Sequence, residues 1–290
     1  MFEGFAQTRI DTGDAVINVR YAGAGAPVLL LHGIPETHVM WHRVAPRLAR
    51  DFTVVVTDLR GYGDSSKPAS ALKHQPYSKR AMARDQLEVM RQLGFDRFFL
   101  AGHDRGARCA YRLALDHPGA VLKLAVLDIV PTADAFDRMD SSLARAFWLW
   151  LFLTQPSDFP ERVVGANARL FLDHMLDSWS GGADAFPEEV RVEYARTFRD
   201  PSTIHAICEE YRASSTLDHA SDQADRGRRR IACPVLALWS AHGPLARWDV
   251  LAIWRQWADD IRGRALDCGH FLPEEAPDET YAELREFFSR

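Results

Sequence analysis

The sequence of 290 residues lacks the features that mark membrane, metal-binding and disulfide-rich proteins. Its longest aromatic and apolar run, Phe147 to Leu153, has seven residues, whereas a membrane-spanning helix needs about 20. No two cysteines stand in the Cys-x-x-Cys spacing of zinc sites, and four are few for a disulfide framework. We therefore predict no membrane span, no metal and no organic cofactor, and buried thiols at Cys109, Cys208, Cys233 and Cys268.

The sequence also lacks an excess of basic residues. Its 35 Lys and Arg against 40 Asp and Glu give a formal net charge of −5. A protein that binds nucleic acid through the phosphate backbone carries a basic surplus, so we expect no nucleic-acid partner. Met1–Phe5 contains neither a basic segment nor an apolar one, from which we predict no signal peptide and a cytoplasmic location.

Short apolar runs separated by helical patterns predict the fold class. A hairpin pattern, Thr8 to Tyr21, comes first, and helical patterns such as Arg80–Leu93 and Ala107–Leu115 lie between the later runs. Continuous apolar strands are typical of a parallel sheet buried on both faces. We therefore predict a doubly wound α/β sheet. Its strands are expected at Val28–Leu31, Thr53–Val56, Phe98–Ala101, Leu124–Leu127, Val235–Leu238 and Arg264–Asp267.

One long stretch interrupts the alternation of strands and helices. Residues 132–225 contain helical patterns rich in Trp, Phe and Arg but no strand-like run. We predict a helical lid inserted after the strand that ends near Asp128, at the carboxyl edge of the sheet where ligands bind. The core would then comprise 1–131 and 226–290. The basic run Arg226–Arg230 that follows the lid is interpreted as a solvated loop rather than an anion site.

The segment Gly102-His103-Asp104-Arg105-Gly106 lies between an apolar strand and a helical pattern. Small residues around a central nucleophile allow the sharp strand-to-helix turn called a nucleophile elbow. Here the central residue is Asp104, and a carboxylate can displace a leaving group from an sp³ carbon. We predict an alkyl ester on Asp104 that water later hydrolyses. The competing interpretation is a tight turn in which Asp104 caps the helix.

A second loop motif, His32-Gly33-Ile34-Pro35, follows the first apolar strand. In this architecture such a loop supplies one backbone N–H to the oxyanion hole, and the residue after the nucleophile supplies another. We therefore predict that the N–H groups of Ile34 and Arg105 stabilise the oxyanion formed when water attacks the ester. His32 itself is expected to be a structural hydrogen-bonding residue.

The remaining catalytic groups are predicted from the order of the strands. The base belongs in the loop after the last strand, and His270 is the histidine found there. The orienting acid follows one of two strands. No carboxylate closely follows Val235–Trp239, and Asp249 comes late, whereas Asp128 stands at the tip of the earlier strand. We assign Asp128, which would hold the His270 tautomer and stabilise its imidazolium.

Two arginines follow the nucleophile at helical spacing. Arg105 and Arg108 are three residues apart and should share a helix face. Two guanidinium groups beside a nucleophilic carboxylate suit a substrate that carries its own carboxylate. The alternative is that either arginine pairs with an acidic neighbour. The predicted partners are a small carboxylate substrate and water.

These motifs resemble the fluoroacetate (haloacetate) dehalogenases of the α/β-hydrolase fold. The Gly102–Arg108 segment with both arginines is the most specific, whereas Arg60–Ser66 is common to many hydrolases of this fold. The resemblance implies that both arginines bind the substrate carboxylate, and it implies a homodimer. The motifs that carry it span nearly the whole chain: His32–Pro35, Asp58–Ser66, Gly102–Arg108, Leu127–Ile129, Phe147–Pro156, Cys208–Ala213 and Gly269–Pro277.

The resemblance also implies that a His-Trp pair and a Tyr of the lid hold the departing halide. Trp150 and Tyr211 match two of these residues, but Leu149 stands where the family has His. Losing a donor to a charged acceptor costs about 1.5–3 kcal/mol, and fluoride needs donors more than chloride or bromide. We therefore expect chloro- or bromoacetate to be preferred over fluoroacetate, unless Leu149 marks a bulkier substrate.

Two other functions compete with dehalogenation. An epoxide hydrolase would use the same Asp–His–Asp groups, but it also needs acidic groups in the lid, commonly two Tyr, to protonate the epoxide oxygen as the ring opens. Tyr211 and Tyr194 are the candidates. A non-catalytic receptor of this fold should lack part of the triad, whereas all three members are present.

Overall fold

The computed structural model describes residues 1–182 and 185–290; within the predicted lid, Ala183 and Asp184 lie outside the described residues. In the ranges that are described, eight strands form a single sheet in the order β1-β2-β4-β3-β5-β6-β7-β8. The strands are β1 Ala6–Asp11, β2 Val16–Ala22, β3 Pro27–Leu31, β4 Thr53–Thr57, β5 Phe98–His103, β6 Val121–Leu127, β7 Val235–Ser240 and β8 Ile261–Leu266.

The pairing of the strands confirms the predicted fold class. β1 and β2 form the expected antiparallel hairpin, and β2 pairs antiparallel with β4, whereas every pairing from β4 through β8 is parallel. The apolar residues of Val28–Leu31 are fully buried, because helices cover both faces of the sheet at its centre. This arrangement brings the carboxyl ends of β3, β5 and β6 side by side.

Fourteen α-helices occur in the described part of the chain. The helix after β5 begins at Asp104, three residues earlier than the sequence pattern indicated, because the turn has no intervening loop. The helices are α1 Ala45–Leu48, α2 Lys79–Gln92, α3 Asp104–Asp116, α4 Thr132–Asp137, α5 Ser141–Ala146, α6 Trp148–Leu153, α7 Phe159–Ala166, α8 Ala168–Trp179, α9 Glu188–Phe198, α10 Pro201–Ala213, α11 His219–Asp225, α12 Val250–Trp254, α13 Leu272–Glu275 and α14 Pro277–Ser289.

Helices α4 to α11 all lie between β6 and β7. One of them, α8, contacts the loop that follows β8: the backbone N–H of His270 donates to the carbonyl of Trp179 at 2.8 Å. In the described ranges, no helix has both the length and the apolar character needed to cross a membrane. All four cysteines are free and buried.

Candidate active site

A sharp turn joins β5 to α3 and presents Asp104. Its φ of 42° lies in the left-handed region, which costs free energy for any residue with a Cβ. The turn is possible because glycines flank it. A Cβ on Gly102 would lie 2.6 Å from the Ala107 nitrogen, and one on Gly106 would collide with the His32 carbonyl oxygen. The local sequence therefore permits the elbow. The packing of α3 against β5 requires glycine at 102, and its packing against β3 requires glycine at 106.

Asp104 is held in its carboxylate form. Burial favours the neutral acid, but His270, Arg105 and His103 together outweigh that effect and lower the pKa of Asp104 to about 2. The backbone N–H of Ile34 donates to Asp104 Oδ2 at 3.2 Å. At neutral pH the side chain is thus an oriented anion, which is the form a nucleophile requires.

His270 and Asp128 form a hydrogen-bonded pair at the carboxyl edge of the sheet. The Nδ1–H of His270 donates to Asp128 Oδ2 at 2.6 Å. The other oxygen of Asp128 accepts the Ser240 N–H at 2.9 Å, so the carboxylate is fixed at both oxygens. This pairing leaves Nε2 of His270 available to accept a proton, as a general base must.

Sequence reasoning missed a charged histidine behind this pair. His103 Nδ1 lies 3.0 Å from Glu36 Oε2, and its Nε2 lies 2.7 Å from the backbone oxygen of His270. Because both neighbours are acceptors, both ring nitrogens donate and the ring is an imidazolium. Burial alone would lower its pKa, but Glu36 raises the pKa of His103 to about 9. His103 therefore fixes the backbone that carries the base.

The two arginines have different surroundings. Arg105 donates through Nε to Glu210 Oε1 at 2.8 Å, while its Nη1 and Nη2 are buried without a protein acceptor among the described residues. Arg108 donates through Nη1 to the Val130 carbonyl at 3.2 Å and to Thr132 Oγ1 at 3.0 Å. Arg105 therefore pairs with an acidic residue, which the sequence analysis had left as an alternative. Two of its donor nitrogens nevertheless remain without a partner and could bind an anion.

Glu210 lies at the centre of a buried charge network. Besides Arg105, it accepts hydrogen bonds from the Lys79 ammonium and the Tyr62 hydroxyl. The backbone N–H of Lys79 in turn donates to Asp218, whose pKa is raised to about 6 by burial. One carboxylate thus contacts two basic side chains beside Asp104, and burial together with Arg105 holds the pKa of Lys79 well below its usual value. Sequence reasoning missed this role, although Glu210 directly precedes the expected Tyr211.

The predicted halide-binding residues lie over the two guanidinium groups. Arg108 Cζ is 4.5 Å from the ring centre of Trp150, and Arg105 Cζ is 4.2 Å from that of Tyr211. The Tyr211 hydroxyl is buried and has no protein hydrogen-bond partner in the described chain. Leu149 is instead packed among apolar side chains that also include Ile34, which gives this position no hydrogen-bond donor.

A cavity of about 240 Å³ opens onto these groups. It brings together seven predicted site residues: Ile34, Asp104, Arg108, Asp128, Trp150, Tyr211 and His270. Arg105 and Leu149 are not among its lining residues. No cluster of His, Cys, Asp or Glu with metal-binding geometry is found in the described ranges.

Comparisons with known proteins relate the whole chain to hydrolases. Residues 26–277 match the family model described as alpha/beta hydrolase fold. Fluoroacetate dehalogenase from Burkholderia sp is 48% identical over 100% of this chain and 95% of its own length. Soluble epoxide hydrolase from Corynebacterium sp. is 31% identical over 92% of each chain.

Solved structures agree with these sequence relationships. A putative alpha/beta hydrolase from Nostoc sp PCC 7120 superposes with a TM-score of 0.98 at 53% identity over the full length of both chains. A putative epoxide hydrolase from Pseudomonas aeruginosa gives a TM-score of 0.95 at 45% identity, over 100% of this chain and 97% of the other.

Proposed function

This chain belongs to the alpha/beta hydrolase fold family, with a fluoroacetate dehalogenase among its full-length relatives, and we propose that it hydrolyses the carbon–halogen bond of a short 2-haloacid such as a haloacetate. One observation carries the proposal: Asp104 is a buried, ionised carboxylate at an elbow, next to two arginines. A carboxylate nucleophile suits displacement at an sp³ carbon, and the adjacent cations suit a substrate that is itself an anion.

In the first step, an Asp104 oxygen attacks C2 of the substrate. A carbon–oxygen bond forms while the carbon–halogen bond breaks, and the bonding pair leaves with the halide. We assign the substrate carboxylate to the guanidinium of Arg108, which lines the cavity, and to the unpaired Nη atoms of Arg105, which does not line the cavity in this structure. Fixing this group orients C2 for in-line attack, which lowers the entropic part of the barrier.

In the second step, water hydrolyses the Asp104 ester. Nε2 of His270 takes a proton from the water, whose oxygen attacks the ester carbonyl carbon, and Asp128 stabilises the resulting imidazolium. The N–H groups of Ile34 and Arg105 receive the oxyanion. Collapse of the tetrahedral intermediate releases a 2-hydroxyacid, restores the carboxylate and returns one proton to solvent.

The leaving halide would meet the Trp150 indole and the unpaired Tyr211 hydroxyl. Because Leu149 offers no donor, fluoride has fewer hydrogen bonds than the family's His would provide. We therefore propose that chloro- and bromoacetate are hydrolysed faster than fluoroacetate. We also assign 132–225 as the lid and 1–131 with 226–290 as the core; the homodimer and the cytoplasmic location stay predictions from the sequence.

Single turnover in ¹⁸O-labelled water tests the covalent mechanism. If water attacks the ester carbonyl, the label appears in the peptide that contains Asp104, and an Asp104→Asn variant shows no burst of halide. If the product carries the label after one turnover while Asp104 stays unlabelled, water attacks the substrate directly and the covalent mechanism is wrong.

Epoxide hydrolysis is the second candidate because relatives of that name cover most of the chain. The same nucleophile would open an epoxide, but the opening oxygen needs an acid. Tyr211 is the single tyrosine among the described residues that line the cavity, since Tyr194 instead donates to Glu274 at 2.6 Å. Turnover of styrene oxide without halide release from chloroacetate would favour this alternative.

A further inference from the structure

The cavity is larger than a haloacetate requires. A haloacetate consists of two carbons, two oxygens and one halogen. A cavity that holds one water has a volume of roughly 10–15 Å³ when it is measured in the same way. The cavity of about 240 Å³ therefore has room for many more atoms than a haloacetate contains. Unfilled apolar volume contributes no binding free energy, because its lining has no partner atoms.

The surplus volume has an apolar wall close to the reacting groups. Ile129 and Val130 directly follow the orienting acid, and both are buried. Ala135 in α4 and Leu245 complete the buried part of this wall. The carbonyl of Val130 accepts a hydrogen bond from Arg108, so the wall begins beside a guanidinium that would bind the substrate carboxylate.

We infer that this wall, formed by Ile129, Val130, Ala135 and Leu245, is a subsite for an apolar substituent at C2 of the substrate. The preferred substrates would then be 2-haloalkanoates with a side chain of several carbons. This inference rests on the proposed dehalogenation. With the carboxylate at the arginines and the halide at Trp150, the C2 substituent is the remaining group that can occupy the apolar volume.

Chain length provides the first test, on the wild-type enzyme. The series 2-chloropropanoate, 2-chlorobutanoate and 2-chlorohexanoate keeps a secondary carbon at C2, so intrinsic reactivity stays nearly constant. Each methylene buried in the subsite should raise kcat/KM up to about fourfold. The non-halogenated acids should inhibit more strongly in the same order. A flat or falling series, with chloropropanoate still hydrolysed, would overturn the subsite and leave dehalogenation standing.

An alternative role for the same volume is a passage to solvent, because the exposed Ala146 and Ser178 also line the cavity. Ala135→Leu distinguishes the two roles by filling the inner wall. If the wall is a subsite, this variant lowers the ratio of kcat/KM for 2-chlorohexanoate to kcat/KM for 2-chloropropanoate roughly tenfold or more. The control is Ala144→Leu, which adds the same side chain in α5 outside the cavity lining.

The variant experiment distinguishes failure of the subsite from failure of the proposed function. Equal losses on both substrates by Ala135→Leu, with Ala144→Leu unaffected, would indicate a passage and overturn the subsite. If neither acid releases chloride even with wild-type enzyme, the proposed function itself fails. Should Ala135→Leu not fold, the wild-type chain-length series and the inhibition series still decide the question.

Discussion

Arg105 Nε lies 2.8 Å from Glu210 Oε1, and both side chains are completely buried. This bond fixes the plane of the guanidinium and uses its Nε, while Nη1 and Nη2 remain without protein acceptors in the described chain. Two parallel N–H donors are the geometry that binds a carboxylate in bidentate fashion. Under the proposed function, Glu210 is therefore a positioning residue that would act on the substrate through Arg105.

Replacing Glu210 should distinguish its effect on substrate binding through Arg105 from its effect on the stability of the protein. Glu210→Gln removes the anion that pairs with Arg105 and Lys79, so we expect a loss of about 3–5 kcal/mol in unfolding free energy and a KM for chloroacetate raised roughly tenfold or more. The double variant Glu210→Gln/Lys79→Met also removes the buried amine that Glu210→Gln leaves without its carboxylate partner. It should recover stability but keep the high KM.

The matched control is Glu209→Gln, whose carboxylate contacts Arg212 and His74 instead of Arg105. Steady-state kinetics and urea unfolding measure both quantities. Recovery of KM together with stability in the double variant would show that Glu210 has only a structural role.

Leu149→His should change the order of halides. The new imidazole would add a donor near the leaving group, so we expect kcat/KM for fluoroacetate to rise about 10- to 100-fold with little change for chloroacetate. The control is Leu153→His, which places the same group in the same apolar cluster and should lower stability without helping fluoride. Halide-release assays check this, and equal gains for both substrates would contradict the donor argument.

His103 should make stability fall at alkaline pH. Its pKa rises from 6.5 in the unfolded chain to about 9 in the folded protein, so its contribution is complete below pH 6.5 and is lost as the pH rises through 9. The contribution is on the order of 3 kcal/mol. Urea unfolding across this range should show the decline in wild type and a flatter profile in His103→Gln.

The control for this pH profile is His205→Gln, which changes a half-exposed histidine paired with Glu161. Its unfolding free energy should follow the wild-type profile. A His103→Gln profile as steep as that of wild type would show that another group causes the alkaline decline.

Gly106→Ala should prevent normal formation of the elbow. A Cβ at this position would collide with the backbone of Leu31 and His32, neither of which can rotate away. We expect a loss of about 2 kcal/mol or more in stability and of most activity, because Asp104 moves with the turn. Gly119→Ala, where a Cβ meets nothing within 4 Å, is the control. Thermal unfolding and chloride release test both, and near-normal activity of Gly106→Ala would contradict this reading.

The sequence by itself determined the fold class and the position of the strand-to-helix turn at Asp104. Apolar runs of strand length can be buried only in a sheet covered on both faces, and small residues around Asp104 permit the strand-to-helix turn wherever that sheet forms. His270 and Asp128 could also be predicted, because strand order places the loops after the strands at one edge. These inferences use only local sequence and chain order.

The tertiary structure alone decided which side chains surround these groups. Glu210 is 105 residues from Arg105 in sequence, and Glu36 is 67 residues from His103, so no local pattern indicates either pair. No local pattern indicates the surroundings of Leu149 either, because its apolar neighbours come from several helices. Local sequence fixes backbone geometry through steric limits, whereas the burial of a charge and the choice of its partner depend on long-range packing.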